Sequence, residues 1–547
     1  MTPEGDGSFW SLFEETPSPE ASSSPIWDLF TEPAPAREAR TVHPQETPCA
    51  LNFNENQVFW AMRNLPVEEA VKHFFVCGTP GSGKTIIIDL FLQSIAPRFR
   101  PDWPHPEQLI LFDAKGEVIP FLAGLGLRPE DENVWIMHPG DERGAVWNIA
   151  EAARTPLMAR HIAALLVPEE RHSNAPYFTN AARELVFAAI TALTSVAGER
   201  WTFRDLLCAL DSEDHIARVG ARHAPAKRVV NRYLGDKQHF GGILSSLATK
   251  LGRFEQVAAL WHTSTSGRVF SIPEFLKRPG VLILSNDPQL RESFWPINAL
   301  LLRALTQAIL RGPETRQPRH WFVLDEFRDM EQVSCIQDLL NRGRSKGASV
   351  MLGFQSLEGL IEVHGTQGAN EILGQCASKT FLRVGGPTTA EWAAKFFGQI
   401  RETEAVLSES WNREGYSHSY QYSVRDRPLF LESLFMDLPF PKPGLPFYSI
   451  SDVPCLHTTL LTRRWFDQVL AWRCQPGDVP PVLHRQDAHD QTLWPWSAEE
   501  EQYFCERPPA PPSPSTSPSS GTKSKKKSPR RKGKAPLPNP TPKRHLP

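Results

Sequence analysis

The chain has 547 residues, of which 40% are hydrophobic and 22% are charged, enough apolar material for one large core or for about two to three domains. No stretch approaches the roughly 18 apolar residues of a membrane span, and the acidic N-terminus lacks the charged-then-apolar order of a signal peptide. These two features lead us to expect a soluble, cytoplasmic protein. The eight cysteines are scattered without a C-x-x-C pair, which indicates neither a zinc site nor a disulfide framework.

The net charge of -3 conceals a difference between the two ends of the chain. Residues 1–48 carry nine Asp or Glu against two Arg, whereas residues 508–547 carry ten Lys or Arg and no acidic residue. An acidic tail and a basic tail on a weakly acidic body suggest that the tails contact partners or nucleic acid.

The N-terminal segment, residues 1–48, is rich in Pro, Ser and Glu and is predicted to be disordered. It contains a short repeat, because Phe9–Glu14 (FWSLFE) is echoed by Ile26–Thr31 (IWDLFT). Two W-x-L-F copies fit tandem docking peptides that each fold into a groove of a partner protein. The alternative is that they pack onto their own domain or match by chance. The apolar side chains concerned are Trp10, Phe13, Trp27 and Phe30.

The first predicted strand, Phe74–Cys77, runs into a glycine-rich segment that fits the phosphate-loop pattern G-x-x-x-x-G-K-[ST]. In this pattern backbone N–H groups surround an anion, Lys84 reaches the β and γ phosphates, and Thr85 holds Mg²⁺. The apolar helix predicted over Ile86–Ile95 favours a phosphate loop over a chance glycine-rich turn. The predicted nucleotide-binding residues are Gly78, Thr79, Pro80, Gly81, Ser82, Gly83, Lys84 and Thr85.

Further strands are predicted at Gln108–Asp113 and Val134–Met137, with helical segments between them. Strands that alternate with helices predict a parallel sheet whose ligands bind at the carboxyl ends of the strands. From about residue 150 to 275 the pattern becomes helical, most plainly over Phe178–Ala197 and Ile243–Trp261. The sheet then resumes at Val281–Ser285, followed by a long amphipathic helix.

The stretch Trp321–Glu326 (WFVLDE) is an apolar strand that ends in two acids. In a phosphate-loop protein, Asp325 would bind Mg²⁺ through its water shell and Glu326 would polarise the attacking water. The alternative is an ordinary strand edge, but the phosphate loop upstream favours the catalytic interpretation. Another buried strand, Ser349–Phe354, ends at Gln355, whose amide can report hydrolysis to the rest of the fold.

Between these strands lies the basic, glycine-broken segment Asn341–Gly347 (NRGRSKG). An arginine here, Arg344 ahead of Arg342, is predicted to reach the γ phosphate held by a neighbouring subunit. The alternative is a solvated helix C-terminus, where positive charge is favourable in any case.

Six segments in this order resemble the coupling-protein ATPases of conjugation and type IV secretion, the TraD/TraG type. They are GTPGSGKT, FDAKGE, YFTNAARELV, VLDEF, NRGRSKGASVMLGFQS and LGQCASKTFLRVGGPTTAEWAAKFFG, and the resemblance runs from about Leu65 to about Cys455. It implies an α/β fold, a RecA-like P-loop NTPase with a parallel central sheet and an inserted all-α domain. It also implies a homo-hexamer that uses ATP and Mg²⁺ to pump DNA, delivered by a relaxase and its DNA-processing complex, into a secretion channel.

The resemblance also assigns roles to residues. Gly83, Lys84 and Thr85 would bind the nucleotide and its metal, Asp325 and Glu326 would form the Walker B pair, Gln355 would be the sensor, and Arg344 would act across the subunit interface. The predicted organisation is a disordered acidic tail (1–48), a first motor part (49–150), an all-helical domain (151–275), a second motor part (276–507) and a disordered basic tail (508–547).

The sequence departs from the family pattern at its N-terminus, where family members usually have transmembrane helices. We expect a separate membrane-anchor protein to recruit this chain to the inner membrane through the acidic tail. The basic tail could bind the DNA backbone or merely aid solubility. A soluble HerA/FtsK-like DNA pump and a nucleotide-dependent scaffold for protein substrates remain open as alternatives, and residues 456–507 are expected to be ordered without an assigned role.

Overall fold

The structure is a computed structural model that describes residues 39–42, 55–169, 176–235, 237–286, 291–330, 334–412, 415–456, 458–486, 488 and 491–506. The predicted disordered tails therefore lie outside the described residues, with the exception of Ala39–Val42. That short segment forms a strand on the outer edge of the central sheet, where it pairs in parallel with Thr459–Thr462.

The strands, in chain order, are β1 (Ala39–Val42), β2 (Gln57–Trp60), β3 (Arg63–Pro66), β4 (Phe74–Cys77), β5 (Gln108–Asp113), β6 (Val134–Met137), β7 (Val146–Trp147), β8 (Val269–Phe270), β9 (Gly280–Ser285), β10 (Thr315–Leu324), β11 (Lys346–Phe354), β12 (Ser378–Phe381), β13 (Gln399–Asn412), β14 (Gly415–Pro428), β15 (Pro446–Val453) and β16 (Thr458–Trp465).

The helices are α1 (Lys84–Ile95), α2 (Val118–Gly124), α3 (Ile149–Ala152), α4 (Pro156–Leu166), α5 (Pro176–Ala197), α6 (Phe203–Ala209), α7 (Glu213–Ala221), α8 (Ala224–Leu234), α9 (Lys237–Gly252), α10 (Glu255–His262), α11 (Ile272–Phe275), α12 (Arg291–Leu310), α13 (Ser334–Arg342), α14 (Leu357–Gln375), α15 (Pro387–Phe397), α16 (Glu432–Asp437), α17 (Phe466–Trp472) and α18 (Ala498–Cys505).

The central sheet has the strand order β1-β16-β15-β12-β4-β11-β10-β5-β9-β6. From β12 to β6 every neighbouring pair is parallel, which confirms the predicted α/β fold with a parallel sheet. On the other side of β12 the sheet continues with the antiparallel strands β15 and β16. Only four residues separate the end of β15 at Val453 from the start of β16 at Thr458, and so short a link returns the chain antiparallel.

Each face of the sheet carries its own apolar core. Along β4, Phe75 and Cys77 belong to one core and Phe74 and Val76 to the other, as the two-residue repeat of a strand requires. The first core continues into α4, α5, α12 and α14, and the second into α1 and α2. A sheet covered on both faces needs strands that are apolar throughout, which explains why β4, β5 and β9 were recognisable as continuous apolar runs.

The helices from α4 to α10 fall within the segment predicted to be all-helical, although the exact domain boundaries remain a prediction. They are arranged around α5, which packs against α4, α7, α8 and α9. The predicted helix over Ile243–Trp261 is two helices, α9 and α10, separated by a turn at Arg253 and Phe254. Among the described residues, no helix combines the length and the apolar character that crossing a membrane requires.

The C-terminal segment, residues 473–506, connects the sheet region to the helical region. At its start, Arg473 Nε donates to Asp89 Oδ2 on α1 over 2.6 Å. Further along, Arg485 Nη1 donates to the carbonyl oxygen of Leu260 on α10 over 2.8 Å. The sequence analysis assigned no role to this part of the chain, and the structure shows that it links α1 to the helical region.

Arg204 holds the far end of the C-terminal segment. Its guanidinium donates to both carboxylate oxygens of Glu500, over 2.9 and 3.1 Å, and to the carbonyl oxygens of Trp494 and Pro495 over 2.8 and 2.6 Å. The bidentate contact with Arg204 lowers the pKa of Glu500 to about 2, so this carboxylate stays ionised at neutral pH.

Replacing Arg204 by Met should release the C-terminal segment without unfolding the sheet. We expect limited proteolysis to cut residues 473–506 roughly 10-fold faster than in wild type, because the variant lacks the charge-assisted hydrogen bonds that hold this segment against α6. Arg200→Met is the control, since Arg200 makes a more exposed contact with the hydroxyl of Tyr503. Equal cleavage rates in Arg204→Met and wild type would contradict this assignment.

The buried His73, just before β4, makes stability dependent on pH. Its Nδ1 accepts the N–H of Val350 and its Nε2 donates to the carbonyl oxygen of Leu340, so the ring is neutral. Burial lowers the pKa of His73 from 6.5 to about 4. Between pH 6.5 and 4 the imidazole of His73 binds a proton in the unfolded chain but not in the folded chain. The free energy of unfolding should therefore fall as pH decreases through this range.

We expect wild type to lose about 1 to 2 kcal/mol more unfolding free energy between pH 7 and pH 5 than His73→Asn, measured by denaturant titration. Asn is chosen because its side chain is polar but carries no group that titrates between pH 7 and pH 5. His320, whose pKa burial also lowers to about 4, keeps its own contribution in both proteins. An identical pH dependence of the two proteins would refute the role of His73.

Candidate nucleotide-binding site

The carboxyl ends of four neighbouring parallel strands, in the order β4, β11, β10 and β5, meet at one edge of the sheet. Each strand leads directly into a segment that the sequence analysis singled out. These are Gly78–Thr85 after β4, Gln355 after β11, Asp325 and Glu326 after β10, and Ala114–Glu117 after β5.

The phosphate loop is held at its start by two backbone hydrogen bonds, one to the end of β11 and one to the segment that follows β12. Gly78 N–H donates to the carbonyl oxygen of Phe354 over 3.2 Å, and Thr79 N–H donates to that of Arg383 over 2.9 Å. Gly81 and Gly83 have φ values of 78° and 95°, in the left-handed region that glycine occupies at little cost. Helix α1 begins at Lys84, so its N-terminal N–H groups face the inside of the loop.

The loop is shaped to admit an anion. A Cβ at position 83 would lie 2.5 Å from Cε2 of the buried Phe447, so only glycine fits here. The Ser82 hydroxyl is buried, and no group among the described residues hydrogen-bonds to it. A phosphate oxygen in the loop would satisfy this hydroxyl, and the residues present therefore fit a nucleotide phosphate chain.

Lys84 contacts both acids of the predicted Walker B pair. Its Nζ lies 3.0 Å from Asp325 Oδ1 and 3.0 Å from Glu326 Oε2, with only 5% of the lysine side chain exposed. Burial alone lowers the pKa of Lys84, but the two carboxylates more than offset this and raise it above the ordinary value. The lysine is therefore cationic and lies where it can exchange carboxylate oxygens for phosphate oxygens.

Glu326 has an unusual backbone conformation, with a φ of 55°. Its N–H donates to Asp325 Oδ1 over 2.9 Å, and Gln355 Nε2 donates to Glu326 Oε2 over 2.8 Å. A non-glycine residue in the left-handed region is strained, and such strain is retained where the surrounding contacts over-determine a functional geometry. The structure thus connects the predicted sensor directly to the predicted base.

Lys115 is a site residue that the sequence analysis quoted within FDAKGE but did not assign. Its Nζ lies 3.4 Å from Thr85 Oγ1 and 3.7 Å from Asp325 Oδ2, between the two side chains expected to hold Mg²⁺. Asp113 fixes this turn, because its carboxylate accepts backbone N–H groups from four successive residues, 115 to 118. The oxygen donors of Thr85 and Asp325 suit Mg²⁺, and Lys115 places a second cationic group, after Lys84, beside them.

Arg344 is not part of this cluster in the same chain. It is exposed on the 3-10 turn Gly343–Ser345 at the start of β11, whereas Gln355 follows the end of that strand. Nine residues at about 3.3 Å each separate the two ends, so Arg344 lies roughly 30 Å along the sheet from the phosphate loop. It lines an open cavity with Lys72, Arg316 and Arg342 at the opposite edge of the sheet.

Of the predicted site residues, the structure brings together Gly78–Thr85, Asp325, Glu326 and Gln355. The docking residues predicted in the acidic tail, Trp10, Phe13, Trp27 and Phe30, lie outside the described residues. The roles assigned to individual residues remain predictions.

Comparison with known proteins relates this chain to coupling proteins of type IV secretion and conjugation. The family model for the type IV secretion-system coupling protein DNA-binding domain matches residues 60–453, more than half of the chain. The coupling protein VirD4 of Bartonella quintana (strain Toulouse) is 20% identical over 350 residues, which cover 60% of this chain and 54% of VirD4. The conjugal transfer protein TraG of Rhizobium radiobacter is 24% identical over 167 residues, 30% of this chain and 26% of TraG. The chain therefore spans about half of VirD4 and a smaller part of TraG.

Solved structures of the conjugative coupling protein TrwB share the fold. A trigonal form of TrwB lacking its N-terminal segment, in complex with sulphate, has a TM-score of 0.61 at 17% identity and covers 83% of this chain and 99% of its own. TrwB in complex with ADP and Mg²⁺ has a TM-score of 0.57 at 16% identity, covering 79% of this chain and 92% of its own. From its match to the family model, the chain belongs to the type IV secretion-system coupling protein family.

Proposed function

We propose that this protein is an ATP-driven DNA translocase that delivers DNA, with or without bound protein, to a secretion channel. The observation that carries the proposal is the contact of Lys84 with both Asp325 and Glu326 at the end of a phosphate loop. This is the arrangement that a phosphate-loop motor needs to bind a nucleotide and activate water. The choice of DNA as the cargo and of a secretion channel as its destination rests on membership of the coupling-protein family.

ATP with Mg²⁺ is the proposed ligand pair, which the complex of TrwB with ADP and Mg²⁺ supports by analogy. Thr85 and Asp325 would hold Mg²⁺, which neutralises charge between the β and γ phosphates when bound. Lys84 would then leave its two carboxylates for the phosphate chain. Glu326, released from Lys84, would orient and polarise the attacking water, and Gln355 would transmit the change through its hydrogen bond to Glu326.

The proposed assembly is a homo-hexamer in which Arg344 of one subunit completes the site of the next. The position of Arg344 supports an action between subunits, because it lies at the sheet edge opposite to the phosphate loop of its own chain. A fixed guanidinium supplied from a neighbour would stabilise the charge that develops on the transferred phosphoryl group. Hydrolysis would then depend on ring formation.

The helical segment, residues 151–275, would face the relaxase and its DNA-processing complex, and the acidic tail would dock to a membrane-anchor or channel protein. Recruitment by such a partner would bring a cytoplasmic protein to the inner membrane. The C-terminal segment gives the helical region a physical link to α1, so a change at the phosphate loop has a route to the surface proposed to meet the cargo.

The first test is steady-state ATP hydrolysis by the full chain with and without single-stranded and double-stranded DNA. We expect DNA to stimulate turnover, and we expect Lys84→Ala and Glu326→Gln each to reduce it by about 100-fold or more. Glu326→Gln should still bind ADP because it keeps the size of the side chain and leaves Lys84 in place, whereas Lys84→Ala should bind ADP weakly.

Lys395→Ala is the matched control, since Lys395 is an exposed lysine on α15 paired only with Glu391 in the described contacts. It should hydrolyse ATP as wild type does. Hydrolysis that ignores DNA would favour the scaffold alternative, and full activity in Lys84→Ala would overturn the proposed site.

A mixing experiment tests the role of Arg344. Arg344→Ala and Lys84→Ala should each be inactive alone, but an equal mixture should regain activity. In random rings about a quarter of the interfaces would pair an intact phosphate loop with an intact Arg344 from the neighbour. If Arg344 acted within its own chain, or had no role in hydrolysis, mixing would give only the average of the two separate activities.

A further inference from the structure

An exposed aromatic side chain stands beside the tip of the phosphate loop. Phe440 follows α16 in the segment that leads to β15, and 41% of its surface is exposed, which is high for a phenylalanine in an ordered region. A Cβ placed at Gly81 would lie 3.8 Å from Cδ1 of this ring. The ring is therefore within van der Waals reach of the loop that receives the phosphates.

Arg383 supports the ring. Its guanidinium carbon lies 4.7 Å from the centroid of Phe440, and its Nη1 donates to the carbonyl oxygen of Leu438 over 2.8 Å. The carbonyl oxygen of Arg383 in turn accepts the N–H of Thr79 over 2.9 Å. The pair is thus connected through the backbone of Arg383 to the start of the phosphate loop.

The pair lies on the side of β4 opposite to the acids of the site. On one side of β4 stand β11 and β10, whose ends carry Gln355, Asp325 and Glu326, and in the proposed site this side would take the γ phosphate and the metal. On the other side stands β12, which is followed directly by the segment containing Arg383. A nucleotide with its terminal phosphate at Lys84 would leave the loop on this second side.

We propose that Phe440, backed by Arg383, is the stacking platform for the base of the bound nucleotide. This inference rests on the proposed nucleotide site and extends it to the half of the ligand that the phosphate loop does not contact. One face of the phenylalanine ring meets Arg383, and the exposed remainder is available to a flat heterocycle. Phe447, by contrast, is buried against Gly83 and serves to shape the loop.

A platform of this kind recognises the face of a base and not its hydrogen-bonding edge. Stacking on an aromatic ring tolerates different bases because each has a π-face, and a nearby guanidinium strengthens the stack. The platform therefore predicts similar gains in affinity for adenine and guanine nucleotides and no gain for inorganic phosphates.

The experiment compares the dissociation constants of ADP, GDP and inorganic pyrophosphate for the full chain, with Mg²⁺, by calorimetry or by competition. Phe440→Ala should weaken ADP and GDP each by about 10-fold and leave pyrophosphate unchanged. Phe440→Leu keeps an apolar side chain on Arg383 but cannot stack, and it should show the same loss. Phe440→Trp should bind ADP at least as tightly as wild type does.

Leu445→Ala is the matched control, because Leu445 is an apolar residue of the same segment with 45% exposure. It should bind all three ligands as wild type does. Unchanged ADP affinity in Phe440→Ala, or an equal loss for ADP and pyrophosphate, would overturn the platform. A wild-type chain that binds neither ADP nor pyrophosphate would instead overturn the nucleotide site itself.

Discussion

The buried contact of one lysine with two carboxylates is the constraint on which the site depends. Lys84, Asp325 and Glu326 lie almost out of water, and charges so placed are tolerated only when they are paired. The pairing holds the phosphate loop and the end of β10 at a fixed distance although they are 242 residues apart in sequence. A phosphate chain could take over the positive charge that the two carboxylates neutralise in this contact.

The phosphate loop is stabilised from two sides by different parts of the sheet. The parallel strands β10 and β11 bring the acids and Gln355, whereas β12 and the antiparallel strand β15 bring Arg383 and Phe447. The acidic side is suited to phosphate and metal chemistry. On the aromatic side, Phe447 packs against Gly83 and shapes the loop, and this side can offer an apolar surface to a ligand. The position of β4 between the two groups of strands explains how one loop can serve both.

The positions of Lys115 and Arg344 relative to their strands decide whether each side chain can reach the phosphate loop of its own chain. Lys115 follows β5 and contacts Thr85 and Asp325. It therefore lies in the candidate nucleotide site, although the sequence analysis assigned it no role. Arg344 precedes β11 and stands at the other edge of the sheet. Both lie in glycine-containing turns. Lys115 follows the end of its strand and Arg344 precedes the start of its strand, so the two side chains lie at opposite edges of the sheet.

The sequence by itself determined the features that depend on short stretches of consecutive residues. The loop Gly78–Thr85, the acids that end β10 and the glutamine that ends β11 each depend on a few consecutive residues, and apolar runs identified the strands because both faces of the sheet are covered. Only the tertiary structure decided which distant segments meet, such as Arg204 with Glu500 or Arg383 with Phe440. Such contacts depend on strand order and on the return path of the chain, which residue periodicity does not encode, because periodicity reports which face of an element is buried and not what covers it.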